Sequence, residues 1–163
     1  MHPISEKQIR SSFINASKRE RSALTLPENV DSLDWDALDF LGWRDTKFPK
    51  QGYVIALVDD ELVGVALRLA DGATRTRPQC SWCEDVHLPN EVVFFVAKRA
   101  GDAGRKGDTV GTLACANFEC NVNARRLPRT AYVGFDVEAA RQQRIAAMRV
   151  NVTRFIRSVR DGS

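Results

Sequence analysis

All four cysteines of this 163-residue chain fall into two close pairs, Cys80-Ser-Trp-Cys83 and Cys115-Ala-Asn-Phe-Glu-Cys120, with 31 residues between them. Two short pairs separated by a longer stretch form the pattern of a four-sulfur metal site. Each pair makes a tight turn that aims two thiolates at one point, and the fold must bring the pairs together at metal–sulfur distances of about 2.3 Å. Soft thiolates in a tetrahedron fit zinc and also iron, and zinc is the commoner structural choice. The competing reading is a pair of disulfides. The opening Met-His-Pro-Ile-Ser-Glu-Lys-Gln has no apolar run of signal-peptide type, and no stretch is long and apolar enough to span a bilayer. These features place the chain in the cytoplasm, where thiols stay reduced.

Four cysteines close the coordination shell. A catalytic zinc ion keeps an open position for water, so the reading is one structural zinc ion held by Cys80, Cys83, Cys115 and Cys120, with no catalytic residues. The acid–base repertoire is also thin. His2 sits near the terminus, and His87 lies four residues beyond Cys83. His87 is read as a surface residue, with substitution for one sulfur as the alternative.

The elements that must position the cysteines belong to a chain with enough apolar residues, 44%, to bury a core. Residues 1–71 carry 9 Lys/Arg against 12 Asp/Glu, a net of −3, whereas residues 72–163 carry 15 against 9, a net of +6. Four thiolates on one zinc ion lower the second figure to +4. The cysteine half is therefore the half to meet an acidic partner.

Capping-box spacings at Ser5/Gln8 and Ser17/Glu20 predict helices over about 6–16 and 18–24. Residues 28–50 interleave five aspartates with Leu33, Trp35, Leu38, Phe40, Leu41 and Trp43. This reads as an acidic loop or short helix whose aspartates cap turns while its aromatics enter the core. Strands follow at 53–58 and 62–69, joined by a turn at Asp59-Asp60-Glu61. Their near-continuous apolar character predicts cover on both faces or a central place in a sheet. A polar connector at 71–79 leads to the first cysteine pair. Strands at 91–98 and 109–114 flank an exposed, flexible, Gly-rich loop at 99–108, which matches no phosphate-binding motif.

A second cysteine pair at the start of a helix, about 117–124, completes the order of a treble-clef finger: knuckle, hairpin, knuckle, helix. The last segment, about 137–160, places Ile145, Met148, Val152, Phe155 and Val159 on one helical face, with Asp136 as N-cap. The helix at 6–16 is its expected mate. The fold class is thus α+β: an antiparallel sheet, a four-cysteine treble-clef zinc finger in the C-terminal half, and flanking N- and C-terminal helices. Residues 1–163 are read as one compact unit, comprising an N-terminal region (1–71), a zinc-binding region (72–130) and a terminal amphipathic helix (131–163).

The two cysteine pairs, the basic hairpin between them and the segment Leu33-Asp-Trp-Asp-Ala-Leu-Asp-Phe-Leu-Gly-Trp-Arg-Asp45 resemble the elongation factor G-binding protein family. That family includes the FusB-type fusidic acid resistance proteins, and the segment is similar to its actinobacterial branch. The resemblance runs from about residue 5 and is strongest over 31–125. It implies zinc ligation by the four cysteines and a treble-clef domain that binds the translocation GTPase and, in the resistance proteins, helps release it from the ribosome when the drug has stalled it there. It also implies a factor-binding surface among Lys98, Arg99, Arg105, Lys106, Phe118, Arg125 and Arg126. One departure is that only short helices precede residue 27, where the resistance proteins have a larger helical domain. This sets factor binding apart from drug resistance.

On charge alone the main alternative is a ribosome- or RNA-binding zinc module. In it Arg99, Arg105, Lys106, Arg125, Arg126 and Arg129 would contact phosphates, although the chain has neither an RNP-like aromatic strand motif nor a G-x-x-G clamp. A zinc hydrolase is disfavoured by the closed shell and the scarcity of histidine. Neither a membrane nor a small-molecule substrate is implied.

Overall fold

The computed structural model describes residues 1–72, 78–85 and 90–161. The expected connector lies partly outside the described residues, and His87 lies wholly outside them.

Both capping boxes form. Ser5 Oγ accepts from the Gln8 amide while Gln8 Oε1 accepts from the Ser5 amide, and Ser17 and Glu20 repeat the exchange. They start α1 (Glu6–Ser12) and α2 (Lys18–Ala23). Helix α1 stops well short of residue 16 because the following backbone is claimed by the sheet. The Ile14 amide donates to the Gly64 carbonyl at 3.0 Å, and the Asn15 side chain pairs with both backbone groups of Ala66. Tertiary hydrogen bonds thus outweigh the modest gain from one more helical turn.

The acidic aromatic segment corrects the sequence reading. It makes two 3-10 turns, Val30–Ser32 and Trp35–Ala37, and then a strand, β1 (Phe40–Arg44). Asp45 does cap a turn as expected. Its carboxylate accepts from the amides of Lys47, Phe48 and Thr25 and from the Tyr53 hydroxyl. These four donors hold its pKa below the ordinary carboxylate value despite burial, which acts in the opposite direction.

Strands β2 (Gln51–Val58), β3 (Glu61–Leu69), β4 (Val92–Lys98) and β5 (Thr109–Cys115) follow, and the five strands lie in sequence order, all antiparallel. The β2–β3 turn is Asp59-Asp60, both at positive φ (51° and 63°), as a two-residue hairpin of matching twist requires. Glu61 belongs to β3.

Strand β2 is central, and both of its faces are covered. Tyr53 and Ile55 point to a cluster with Ile9, Phe13, Leu24, Leu41 and Trp43, whereas Val54, Ala56 and Val58 point to a larger cluster with the cysteines, Trp82, Phe95 and Phe118. Helix α5 (Val137–Asp161) lies on that second face, N-capped by Asp136 through the Ala139 amide. Its buried stripe comprises the five expected residues and Ile156. The expected pairing of the first and last helices is therefore overturned, because α1 and α5 bury their stripes in different clusters. Each stripe is wide enough to be satisfied by the sheet face it meets.

The 99–108 loop also differs from its reading. It contains a short helix, α3 (Gly101–Arg105), and its base is tied to α5: the Ala100 amide donates to the Val159 carbonyl at 2.9 Å, and the Arg99 guanidinium donates to the Ser158 carbonyl. Helix α4 (Cys120–Arg125) starts later than expected, because residues 117–119 make the turn that precedes it.

Phe118 locks this turn to the sheet. Its ring stacks on Phe95 and Trp82 and fills a notch left by two glycines on neighbouring strands. A Cβ at Gly42 would sit 2.7 Å from Phe118 Cβ, and one at Gly52 would sit 2.9 Å from Phe118 Cζ. Gly42→Ala is expected to destabilise the protein by about 1–3 kcal/mol through overpacking, read as a lowered urea midpoint with an unchanged slope. An unaltered midpoint would show that the ring can give way without cost.

Candidate metal centre

The first knuckle is a tight turn closed by the Glu84 amide on the Cys80 carbonyl at 3.0 Å, with Glu84 at φ 52°. The Ser81 amide pins it to the Leu113 carbonyl of β5 at 2.8 Å. The second knuckle begins at Cys115, the last residue of β5. There the Phe118 amide closes on the Cys115 carbonyl at 2.9 Å, with Phe118 at φ 59°. Cys120 is the first residue of α4. Two left-handed residues, one sheet end and one helix start thus aim four sulfurs inward.

The sulfurs converge. Cys80 Sγ lies 3.6 Å from Cys120 Sγ, Cys83 Sγ lies 3.8 Å from Cys115 Sγ, and all four lie within 4.8 Å of one another. A tetrahedron with metal–sulfur bonds of about 2.3 Å has sulfur–sulfur edges of about 3.8 Å, so the set fits one structural zinc ion. No sulfur is bridged to another as a disulfide. The four cysteines are buried, 0–4% exposed.

Crowding of the four sulfurs shifts their thiols in opposite directions. The thiols of Cys80 and Cys83 are held below the ordinary range, chiefly by the hydrogen bond from Cys115. That of Cys120 is raised, chiefly by the bond it gives to Cys115. The bond from Cys120 lowers Cys115, but the bonds Cys115 gives to Cys80 and Cys83 outweigh it, and its thiol is raised.

Around the sulfurs lie residues that sequence reasoning passed over. Trp82, 1% exposed, packs against Phe40, Phe118 and Phe155 and joins the first knuckle to the sheet and to α5. Arg44 sits over the Phe95 ring and donates to the Ala116 carbonyl, which sets a guanidinium beside the second knuckle. Arg144 of α5 pairs with Asp85 at 2.6 Å and caps the Asn123 and Arg126 carbonyls at the end of α4. Asn121 clasps β1, donating to the Phe40 carbonyl and accepting from the Asp39 amide. Asn123 turns its amide nitrogen to the sulfurs of Cys115 (3.5 Å) and Cys83 (4.0 Å). The available signal was helical spacing, since Asn123 lies three residues after Cys120 on the same face.

The seven residues expected on a partner surface are not brought together. Lys98, Arg105 and Lys106 are exposed near the 99–108 tip of the β4–β5 hairpin, whereas Arg126 is exposed at the end of α4 beside the metal site. The strand rise between the Val92–Cys115 and Lys98–Thr109 pairs separates these ends by about 20 Å. Phe118 is 4% exposed and belongs to the core, so it offers no contact area. Arg125 pairs with the buried carboxylate of Asp39, which also receives Arg149. Arg99 is held by Ser158 and Asp108.

A β-hairpin bounded by two cysteine knuckles, the second opening a helix, defines a treble-clef zinc finger, here built into a five-stranded sheet. The chain belongs to the FBP C-terminal treble-clef zinc-finger family, whose model matches residues 8–159. No curated protein and no solved structure matches the chain. Among the described residues, no helix is long and apolar enough to cross a membrane.

Proposed function

We propose that this zinc-finger protein acts without catalysis, in the cytoplasm, by binding elongation factor G and promoting its release from the ribosome. Family membership and the closed sulfur shell support the reading. The observation that carries it is the segment after Cys120, where apolar side chains stand exposed among arginines. Val122, Leu127 and Tyr132 are 60–66% exposed, Val133 is fully exposed, and Arg126 and Arg129 lie between them in sequence. Arginine and aromatic residues dominate the energetics of protein interfaces, and a basic rim steers an acidic partner. The hairpin-tip cations Lys98, Arg105 and Lys106 form the second patch of the proposed surface.

The competing partner is ribosomal RNA, with Arg126 and Arg129 on phosphates. The two readings separate in one experiment. Titration calorimetry of the zinc-loaded protein with elongation factor G is expected to show binding that Leu127→Asp with Arg126→Glu weakens at least tenfold. The Lys98, Arg105 and Lys106 to Glu triple variant is expected chiefly to slow association at low salt. Binding to ribosomal RNA with none to the factor would select the alternative.

A further inference from the structure

We infer that Asn123 is a working part of the metal centre, a side-chain N–H···S donor that bridges one sulfur of each knuckle and sets how tightly the four thiolates hold their ion. Its Nδ2 reaches Cys115 of the second knuckle at 3.5 Å and Cys83 of the first at 4.0 Å. The residue is 0% exposed, and its Oδ1 is buried with no hydrogen-bond partner among the described residues. An unpaired buried amide oxygen is costly, so an apolar side chain of this size would suit a purely architectural position better.

The neighbouring asparagine makes the contrast. Both polar ends of Asn121 are satisfied by the backbone of Asp39 and Phe40 at the entry to β1, and it needs no sulfur to explain it. Only the donor end of Asn123 has a counterpart, and that counterpart is sulfur. The orientation of the amide follows from charge: reversing it would place a carbonyl oxygen against thiolates. Four thiolates on a dication leave a net charge of −2 in a buried site. Among the described residues the Trp82 amide, 3.4 Å from Cys80 Sγ, is another donor to that charge. Asn123 differs in coming from α4 and serving both knuckles, so it draws the two pairs into register before the ion arrives.

Two substitutions separate this role from packing. Asn123→Asp keeps the shape and replaces the donor with a carboxylate, whereas Asn123→Ala removes both. Zinc affinity, measured by chelator competition on the reduced protein, is expected to fall about tenfold for Asn123→Ala and about 100-fold for Asn123→Asp. In the cobalt-substituted protein the sulfur-to-metal charge-transfer band of Asn123→Ala is expected at lower energy than in the parent, because a thiolate without its hydrogen bond is the better electron donor. Unchanged affinity would overturn the assignment, as would weakened affinity with an unshifted band. Where the variants do not fold, the parent loaded with cadmium-113 decides. Scalar coupling between the metal and the Asn123 side-chain amide protons supports the assignment. Its absence in a sample that shows coupling to the Trp82 amide refutes it.

Discussion

Removing zinc under reducing conditions is expected to unfold the cysteine half of the chain. Structural zinc binding to small fingers has an apparent free energy of about 10–16 kcal/mol at neutral pH, and a domain of this size is stable by only about 5–15 kcal/mol. The sulfurs lie inside the larger core cluster with Trp82, Phe95, Phe118 and Phe155, so loss of the ion leaves four crowded thiols within a packed interior. Trp82, buried among three rings, is the reporter: its emission should shift to the red as α-helical circular dichroism falls. Cys115→Ser should reproduce the effect without a chelator. Circular dichroism and a thermal midpoint that survive metal removal would contradict a structural role.

Phe155→Ala is expected to cost about 3–5 kcal/mol. Phe155 is buried on α5 and packs on Trp82, so its removal opens a cavity between the terminal helix and the first knuckle. For a chain of this length that corresponds to a fall of roughly 10 °C in thermal midpoint. Val150, 54% exposed on the same helix, is the control, and Val150→Ala should change stability by no more than about 0.5 kcal/mol. Equal effects at the two positions would mean that α5 does not pack through this stripe.

The metal ligands, both capping boxes, four of the strands and the α5 stripe were legible because each is written in local spacing. Cysteine pairs, Ser-x-x-Glu/Gln boxes and a three-and-four apolar repeat need no knowledge of the rest of the molecule. Strand β1 was hidden because Phe40, Leu41 and Trp43 are apolar on both faces and Gly42 interrupts them, which erases the period-two signal. The early end of α1 and the partner of α5 depend on which sheet face each reaches, a long-range choice. Phe118, placed on a partner surface by the family resemblance, is a core residue for a related reason: the glycines that receive it lie on strands more than sixty residues away in sequence. Arg99 and Arg125 were placed on a partner surface by the family resemblance, and neither the resemblance nor their charge reveals the partners that hold them, Ser158 and Asp108 for Arg99 and Asp39 for Arg125.

Because β2 is covered on one face chiefly by residues 9–43 and on the other chiefly by residues 80–159, its two coats are made at different times. A ribosome adding about 5–20 residues per second needs roughly 5–20 s to progress from the end of β2 to Val159. Through that interval the residues that cover Val54, Ala56 and Val58 from α5 and the knuckles are not yet all made. Metal supply acts on the late coat alone, so zinc starvation leaves a half-dressed sheet with one apolar face open to aggregation.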